Sequence, residues 1–225
     1  MSARDTQRRE KLLDTTVALM LRRGVRGASI DEIAREAGIS KGAVYLEFPS
    51  KAALVDAAVR RELSHYIAQT CSRVEADPEG GRLSGIYRHS IAVLLERPFM
   101  RALYADTGRI LDGLLRGPER YRPRVMLGTA FLQELIDAGL LRPDVDPAVT
   151  SHLLSVLAVG PLLAEPVLGD ETTPSLDATF ELLADLVVTG LEPENPSEPA
   201  AGAAAFRELA EGLVQALADD SQPAH

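Results

Sequence analysis

The segment from Lys41 to Lys51 contains side chains of the types that bind anions. Lys41 and Lys51 are long cations, and Tyr45 carries a hydroxyl four residues after Lys41. Such groups donate hydrogen bonds to phosphate oxygens, and a lysine also donates to the O6 and N7 acceptors of guanine. These residues therefore predict recognition of a polyanion, a chemistry in which no covalent bond changes.

No set of residues typical of catalysis or metal binding accompanies them. The four histidines are scattered, and the sequence has no Ser-His-Asp set, histidine-rich metal spacing or glycine-rich phosphate loop. The single cysteine, Cys71, can form neither an internal disulfide nor a thiolate metal cluster. We therefore predict no catalytic residue, no metal and no cofactor, and we expect a reducing, cytoplasmic location.

Two helix starts and one tight stop position the candidate side chains. Ser29 with Glu32 three residues later is a capping box, so a helix is predicted from there, and Gly38 ends it. Ser40 is a second N-cap, so another short helix follows after a connection of two residues. Two short helices joined by a glycine turn are typical of a helix-turn-helix, although an ordinary helical corner gives the same pattern.

The second helix has a buried side and an outward side. Val44 and Phe48, spaced i and i+4, predict the buried side, and the intervening residues are then available to the major groove of DNA. The predicted DNA-binding residues are Ser29, Ser40, Lys41, Gly42, Ala43, Tyr45, Leu46 and Lys51. For Tyr45 the alternative is a ring laid on the core with its hydroxyl in water.

Charge is divided unevenly along the chain. Residues 1–61 contain 12 Lys and Arg against 8 Asp and Glu, a net charge of +4, whereas the other 164 residues contain 12 against 25, a net charge of −13. This asymmetry predicts a protein that meets phosphate with one end only. Arg4, Arg8 and Arg9 either reach an adjacent groove or form a solvated, disordered arm.

The rest of the sequence also predicts helices. Apolar residues make up 46% of the chain and are mainly Leu, Ala and Val, which favours an all-α fold of about nine to ten helices. Beyond the helix-turn-helix, helices are predicted at residues 5–23, 51–74, 82–97, 99–115, 119–139, 147–168 and 175–191. A proline-rich linker then leads to another amphipathic helix, which docks on its own domain or binds a partner.

Three domains follow from these helices. The predicted divisions are a DNA-binding head at 1–50, a ligand-binding and dimerisation domain at 51–191, and a linker with an extra helix at 192–225. The helix beginning near residue 51 joins the first two. No stretch of about 18 uncharged apolar residues is expected, so no membrane span is predicted.

The helices at 147–168 and 175–191 are apolar around most of their circumference. Either they lie in the centre of their domain, or one face packs on the domain and the other on a second subunit. We predict the second arrangement because two-fold dimers are the commonest oligomers.

The sequence from about residue 10 to 60 resembles the DNA-binding head of the TetR family of transcriptional regulators. The resemblance rests on Gly24 and on the run Ser-Ile-Asp-Glu-Ile-Ala-Arg-Glu-Ala-Gly-Ile-Ser-Lys-Gly-Ala-Val-Tyr-Leu-Glu-Phe-Pro-Ser-Lys that starts at Ser29. It implies a homodimer that binds a palindromic operator and is released when an effector enters the C-terminal domain. Glu47 stands where the family usually has an aromatic residue or His, which argues against a phosphate contact there.

The resemblance also implies an effector pocket among the middle helices of the C-terminal domain. Polar residues set among apolar ones are candidates there, although a surface position or an internal ion pair is an alternative for each. The predicted ligand-binding residues are Tyr87, His89, Phe99, Arg101, Leu103, Tyr104, Arg109 and Phe131. Their mainly aliphatic surroundings predict a small, mostly apolar effector. A helical adaptor, or an activator without ligand-controlled repression, is the alternative function.

Overall fold

Ten α-helices account for most of the residues that the structure describes. The computed structural model describes residues 3–104, 128–168 and 174–219, and these residues contain no β-strand. The helices are α1 (Ala3–Gly27), α2 (Ile30–Ala37), α3 (Lys41–Glu47), α4 (Lys51–Ala76), α5 (Leu83–Glu96), α6 (Pro98–Tyr104), α7 (Thr129–Asp137), α8 (Pro147–Leu168), α9 (Leu176–Leu191) and α10 (Ala200–Asp219). The all-α prediction is confirmed.

The predicted helix boundaries differ from the structure at two glycines. The helix predicted at 119–139 was wrong at Gly128, which has extended backbone (φ −62°, ψ 150°) and precedes the start of α7. Helix α1 reaches Gly27, beyond the predicted end, but Gly24 interrupts its helical geometry with φ 68° and ψ 172°. The predictions for residues 105–127, which include Arg109, lie outside the described residues.

Helices α1 to α3 form a head that packs on the start of α4. Leu12 and Leu19 of α1, Ile33 of α2 and Val44 of α3 are fully buried in one apolar core. Leu54 of α4 belongs to the same core and is also fully buried. Because each such side chain contributes about 1.5–3 kcal/mol when buried, the head and α4 are held together as a unit.

A second core holds the helices of the body together. It contains Ile86 of α5, Leu132 of α7 and Ala184 of α9, all fully buried. Helix α10 joins this core through Phe206, whose ring meets that of Phe131 edge to face with 5.9 Å between centroids. The predicted tenth helix therefore exists and docks on its own chain.

Close contacts hold the end of α9 and the start of α10 on the body. The Ser84 amide donates a hydrogen bond to the buried carboxylate of Glu192 (2.8 Å), just after α9. Gly202 lies so close to Gly81 that a Cβ built on it would be 2.0 Å from the Gly81 carbonyl oxygen. Only glycine allows this approach, so the position of α10 depends on Gly202.

Helix α8 contains a segment that is long and apolar enough to cross a membrane by length and composition. This segment, Pro147–Ala164, has a mean hydropathy of 1.5 and no Asp, Glu, Lys or Arg, so the expectation that no such stretch exists was wrong. A core helix of a soluble protein passes the same test. Only 22% of the segment is buried within the chain, so most of its apolar surface needs another cover.

Candidate DNA interface and effector cavity

Local capping interactions build the helix-turn-helix. The Ser29 hydroxyl oxygen accepts a hydrogen bond from the Glu32 amide (3.2 Å), and the Glu32 carboxylate accepts one from the Ser29 amide (3.3 Å), as the capping box predicts. Gly38 ends α2 in the left-handed conformation (φ 65°, ψ 35°). Ser40 then caps α3 by accepting from the Ala43 amide (3.2 Å). Each such cap stabilises its helix by about 1 kcal/mol.

Helix α3 presents an apolar and a phenolic side chain to solvent. Val44 and the adjoining Phe48 are buried as predicted, whereas Leu46 is 87% exposed and Tyr45 is 47% exposed. Apart from its chain neighbours and the backbone of its own helix, no described atom lies within 4 Å of a Cβ built on Gly42, so a partner can approach the backbone there. The exposed face thus offers methyl groups and a hydroxyl, which suit thymine methyls and phosphate oxygens.

The cation on this face, Lys41, is paired within the head. Its Nζ lies 2.9 Å from Oδ1 of Asp31, and the hydrogen bond to this carboxylate raises the pKa of Lys41. Both side chains are exposed, so the pair adds little to stability. A phosphate or a guanine edge that approached this face would therefore compete with Asp31 for Lys41.

Ser29, Ser40 and Lys51 lie near the same face and differ in whether their hydrogen-bond donors are already used. The Ser40 oxygen is an acceptor in its cap, which leaves its proton for an outside acceptor. The Ser29 hydroxyl instead donates to Glu32 (3.1 Å), so its proton is already used. Lys51 Nζ donates to the Arg26 carbonyl oxygen (3.4 Å) at the end of α1. Ser40 is thus better placed than Ser29 to donate to phosphate.

Glu47 is held by an arginine of α1. Arg8 Nε donates to Oε1 of Glu47 (3.1 Å), Nη2 contacts the same oxygen, and the hydrogen bond raises the pKa of Arg8. The Glu47 side chain is only 13% exposed as a result. The guanidinium of Arg9 lies 4.5 Å from the centroid of the Phe48 ring. The disordered-arm alternative was wrong, because Arg4, Arg8 and Arg9 all belong to α1.

A cavity lies in the body where α4, α5, α6, α8 and α10 meet. The space between its walls, counted together with the part open to solvent, is about 760 Å³. Its lining is mainly apolar, and among the described lining residues none is charged. The polar residues that line it are Tyr66, Thr70, Tyr87, Ser90, Tyr104 and Ser155.

Two of the predicted ligand-binding residues, Tyr87 and Tyr104, line this cavity. The His89 ring is held outside it, with Nε2 2.8 Å from Oδ2 of Asp77. Arg101 lines a separate depression with Leu176. The described lining does not include the remaining candidates, which are packed in the apolar cores: Phe99, Leu103 and Phe131.

Sequence reasoning missed the contributions of α4 and α10 to the cavity. Tyr66 and Thr70 of α4 line it together with Phe206, Leu209 and Leu213 of α10. The spacing of Tyr66 and Thr70 places both on one face of a helix, which was the available signal on α4. For α10 the signal was its apolar stripe, but a stripe does not say which surface it covers.

The cavity hydroxyls differ in their hydrogen bonding. Tyr66 and Tyr104 share a hydrogen bond, and Ser90 and Thr70 are further partners of Tyr66. Burial raises the pKa of Tyr66 to about 12 and that of Tyr104 well above its ordinary value. The hydroxyl of Tyr87 is buried without a partner among the described residues, and burial raises its pKa to about 12. All three phenols therefore stay neutral at physiological pH.

The chain has a capped helix-turn-helix whose second helix is exposed, and this head packs on a helical body that contains a cavity. This architecture is that of a helix-turn-helix transcriptional regulator. Residues 12–58 match the model of the bacterial regulatory proteins of the tetR family. This match and the relatives below support membership of the TetR family.

Relatives and solved structures agree with this assignment. The chain is 28% identical over 143 residues to the transcriptional repressor KstR2 of Mycobacterium tuberculosis, covering 62% of this chain and 72% of that protein. It is 26% identical over 216 residues to the transcriptional regulator UidR of Escherichia coli, covering 92% and 93%. The structure of the transcriptional regulator SCO4942 from Streptomyces coelicolor superposes with a TM-score of 0.61 at 26% identity, covering 82% and 99%. That of Bacillus subtilis FadR in complex with stearoyl-CoA gives 0.59 at 16% identity, covering 80% and 98%, and shares the fold.

Proposed function

We propose that this chain is a repressor that binds a palindromic operator as a homodimer and is released by a small, mostly apolar effector. The observation that carries the proposal is the path of α4. Leu54, near its start, is buried in the core of the head, and Tyr66 and Thr70 line the body cavity. One continuous helix thus connects the candidate DNA-binding surface to the candidate effector site. The relative KstR2 is itself named a repressor.

The DNA contact is assigned to the outward face of α3. Its contacting residues are Ser40, Lys41, Gly42, Ala43, Tyr45 and Leu46, with Ser29 and Lys51 at neighbouring helix starts. Lys41 is the long donor of this set, so base recognition relies on Lys41, methyl contacts and DNA shape. Affinity comes mainly from phosphate contacts, and operator DNA as the partner implies a cytoplasmic location.

The dimer contact is assigned to α8 and α9. The described residues include ten large apolar side chains that are exposed, and seven of them lie on these two helices. The seven are Val149, Leu153, Val156, Leu163, Leu182, Leu186 and Val188. So large an exposed apolar surface marks an interface, and a second copy with two-fold symmetry covers the same patch on both chains. A second copy that packs on α8 would also cover the apolar segment Pro147–Ala164, of which only 22% is buried within the chain.

Release follows from a change in the separation of the two heads. In the dimer, the α3 helices enter successive major grooves about 34–36 Å apart. An effector bound beside α4 changes the equilibrium between head separations if it binds one of them more tightly. The functional divisions are then a head at 1–50 and a body from 51, with α10 as part of the body.

A mobility-shift titration with DNA from upstream of the chain's own coding region tests the proposal. At low salt, where phosphate contacts are strongest, we expect retardation by two protomers and reversal by a lipophilic effector. Transcription in vitro from the same DNA then separates a repressor from an activator. Absence of retardation at low salt would favour the adaptor alternative.

A further inference from the structure

The C-terminal helix α10 supplies one whole wall of the cavity. Phe206, Leu209, Ala210 and Leu213 line it with the spacing i, i+3, i+4 and i+7, which is one face of a helix. The other lining residues among those the structure describes come from helices that precede residue 169.

The same helix lies along α4 between the cavity and the head. Its start is fixed by the close contact of Gly202 with Gly81. Near its end, Leu217 is buried in the core that includes the head, and its carbonyl oxygen accepts a hydrogen bond from Arg60 of α4 (3.5 Å). A ligand between α4 and α10 therefore touches both helices that run toward the head.

The polar groups of the cavity define the chemistry of its ligand. A carboxylate or phosphate would lose its hydration there without gaining a cation, because the described lining residues include none. The hydroxyls of Tyr66 and Tyr104 already bond to each other. The Tyr87 hydroxyl lacks a partner among the described residues and is buried, so a ligand oxygen that accepts its proton removes the cost of this unmade bond.

We propose that α10 completes the effector site, and that the site takes an uncharged, mainly apolar ligand whose carbonyl oxygen accepts a hydrogen bond from Tyr87. The inference rests on the proposed function, since it takes the cavity to be the effector site. Tyr87 is the residue that distinguishes a ligand with an oxygen from a hydrocarbon of equal size. Burial keeps its phenol protonated, so it acts as a donor throughout the physiological pH range.

Three small compounds of nearly the same shape test the ligand class. The full chain is loaded with the uncharged fluorescent probe N-phenyl-1-naphthylamine, which is displaced at pH 8 by 4-phenyl-2-butanone, n-butylbenzene or 3-phenylpropionate. We expect the ketone to displace the probe at about fivefold lower concentration than the hydrocarbon, the effect of one net hydrogen bond. The carboxylate should displace it least. Displacement by the carboxylate equal to that by the ketone, or none by any compound, would overturn the proposal.

Two pairs of variants assign these effects to residues. Tyr87→Phe should abolish the fivefold advantage of the ketone. Ser72→Ala, at an exposed position of α4 outside the described lining, should retain it. Ala210→Leu fills the cavity from α10 and should weaken probe binding at least tenfold, whereas Ala216→Leu on the exposed face of α10 should not.

Thermal melting and operator binding without probe show whether each variant is folded. Folded Ala210→Leu protein that binds the probe as well as the unmodified chain would exclude α10 from the site. A chain that fails to shift DNA but still discriminates the three compounds would refute the repressor and leave the cavity chemistry standing. A chain that shifts DNA but does not discriminate the three compounds would refute the cavity chemistry and leave the repressor proposal standing.

Discussion

The proposed DNA-contacting surface and the proposed effector cavity are built in opposite ways. The first comes from one continuous segment, residues 29–51, whose helices are set by local caps at Ser29 and Ser40. The second comes from five helices, with lining residues between Tyr66 and Leu213. The helix ends of the first surface therefore depend on neighbouring residues, whereas the cavity depends on how distant helices pack.

The two sites also differ in how their polar groups are satisfied. On α3 the charged groups are exposed and paired, as Lys41 is with Asp31, and water or salt can replace either partner. In the cavity the hydroxyls are shielded from water, and that of Tyr87 lacks a partner in the part of the chain that the structure describes. DNA binding should consequently depend strongly on salt, and effector binding only weakly.

The largest expected effect comes from disrupting the proposed dimer surface, which is distinct from the DNA-contacting surface and from the cavity. Leu153→Asp with Leu186→Asp places charges on the exposed apolar faces of α8 and α9. We expect monomers in light scattering after gel filtration, and at least a 100-fold loss of operator affinity because two half-sites no longer bind together. Leu21→Asp, at an exposed leucine of α1, is the control for charge on the surface. A double variant that remains a dimer would place the interface elsewhere.

A smaller loss is expected on the DNA surface. Lys41→Ala should weaken operator binding about tenfold, which corresponds to about 1.4 kcal/mol, and flatten the dependence of affinity on salt. Tyr45→Phe should weaken binding less, and evenly across operator sequences if its hydroxyl contacts phosphate. Fluorescence anisotropy at several salt concentrations measures both. A Tyr45→Phe effect limited to particular bases would assign that hydroxyl to a base edge instead.

A change of opposite sign is expected at the partner of Lys41. Asp31→Asn releases the ammonium and removes a negative charge near the phosphates, so operator binding should tighten about two- to fivefold. Most of this gain should vanish when Asp31→Asn is combined with Lys41→Ala. Equal gains in both backgrounds would show that Asp31 acts on DNA directly rather than through Lys41.

The last expected effect concerns the stability of the folded chain at high pH rather than operator affinity. The pKa values of Tyr66 and Tyr87 are raised from 10.0 to about 12, so the unfolded chain loses these protons first. The free energy of unfolding should be unaffected by these groups below pH 10 and should fall as the pH rises from 10 toward 12. Urea denaturation across this range should show a shallower fall for Tyr87→Phe. An unchanged slope would mean that Tyr87 is not buried in solution.

The sequence predicted the features that depend on neighbouring residues and missed those that depend on the packing of helices distant in the sequence. The capping box, the glycine stop and the buried Val44 are local, and all three are present. The pairing of Glu47 with Arg8 joins residues 39 positions apart, and no periodicity indicates it. The cavity role of α10 was missed for the same reason, because an amphipathic stripe predicts burial but not a partner.

A hydroxyl-radical footprint on DNA from upstream of the coding region tests the account most directly. The account predicts two equal protected half-sites with inverted sequences, centred about one helical turn (10–10.5 base pairs) or a multiple of it apart. Protection should disappear in the Leu153→Asp, Leu186→Asp chain and should weaken at both half-sites in Lys41→Ala. A single unpaired footprint, or none at low salt, would contradict the account.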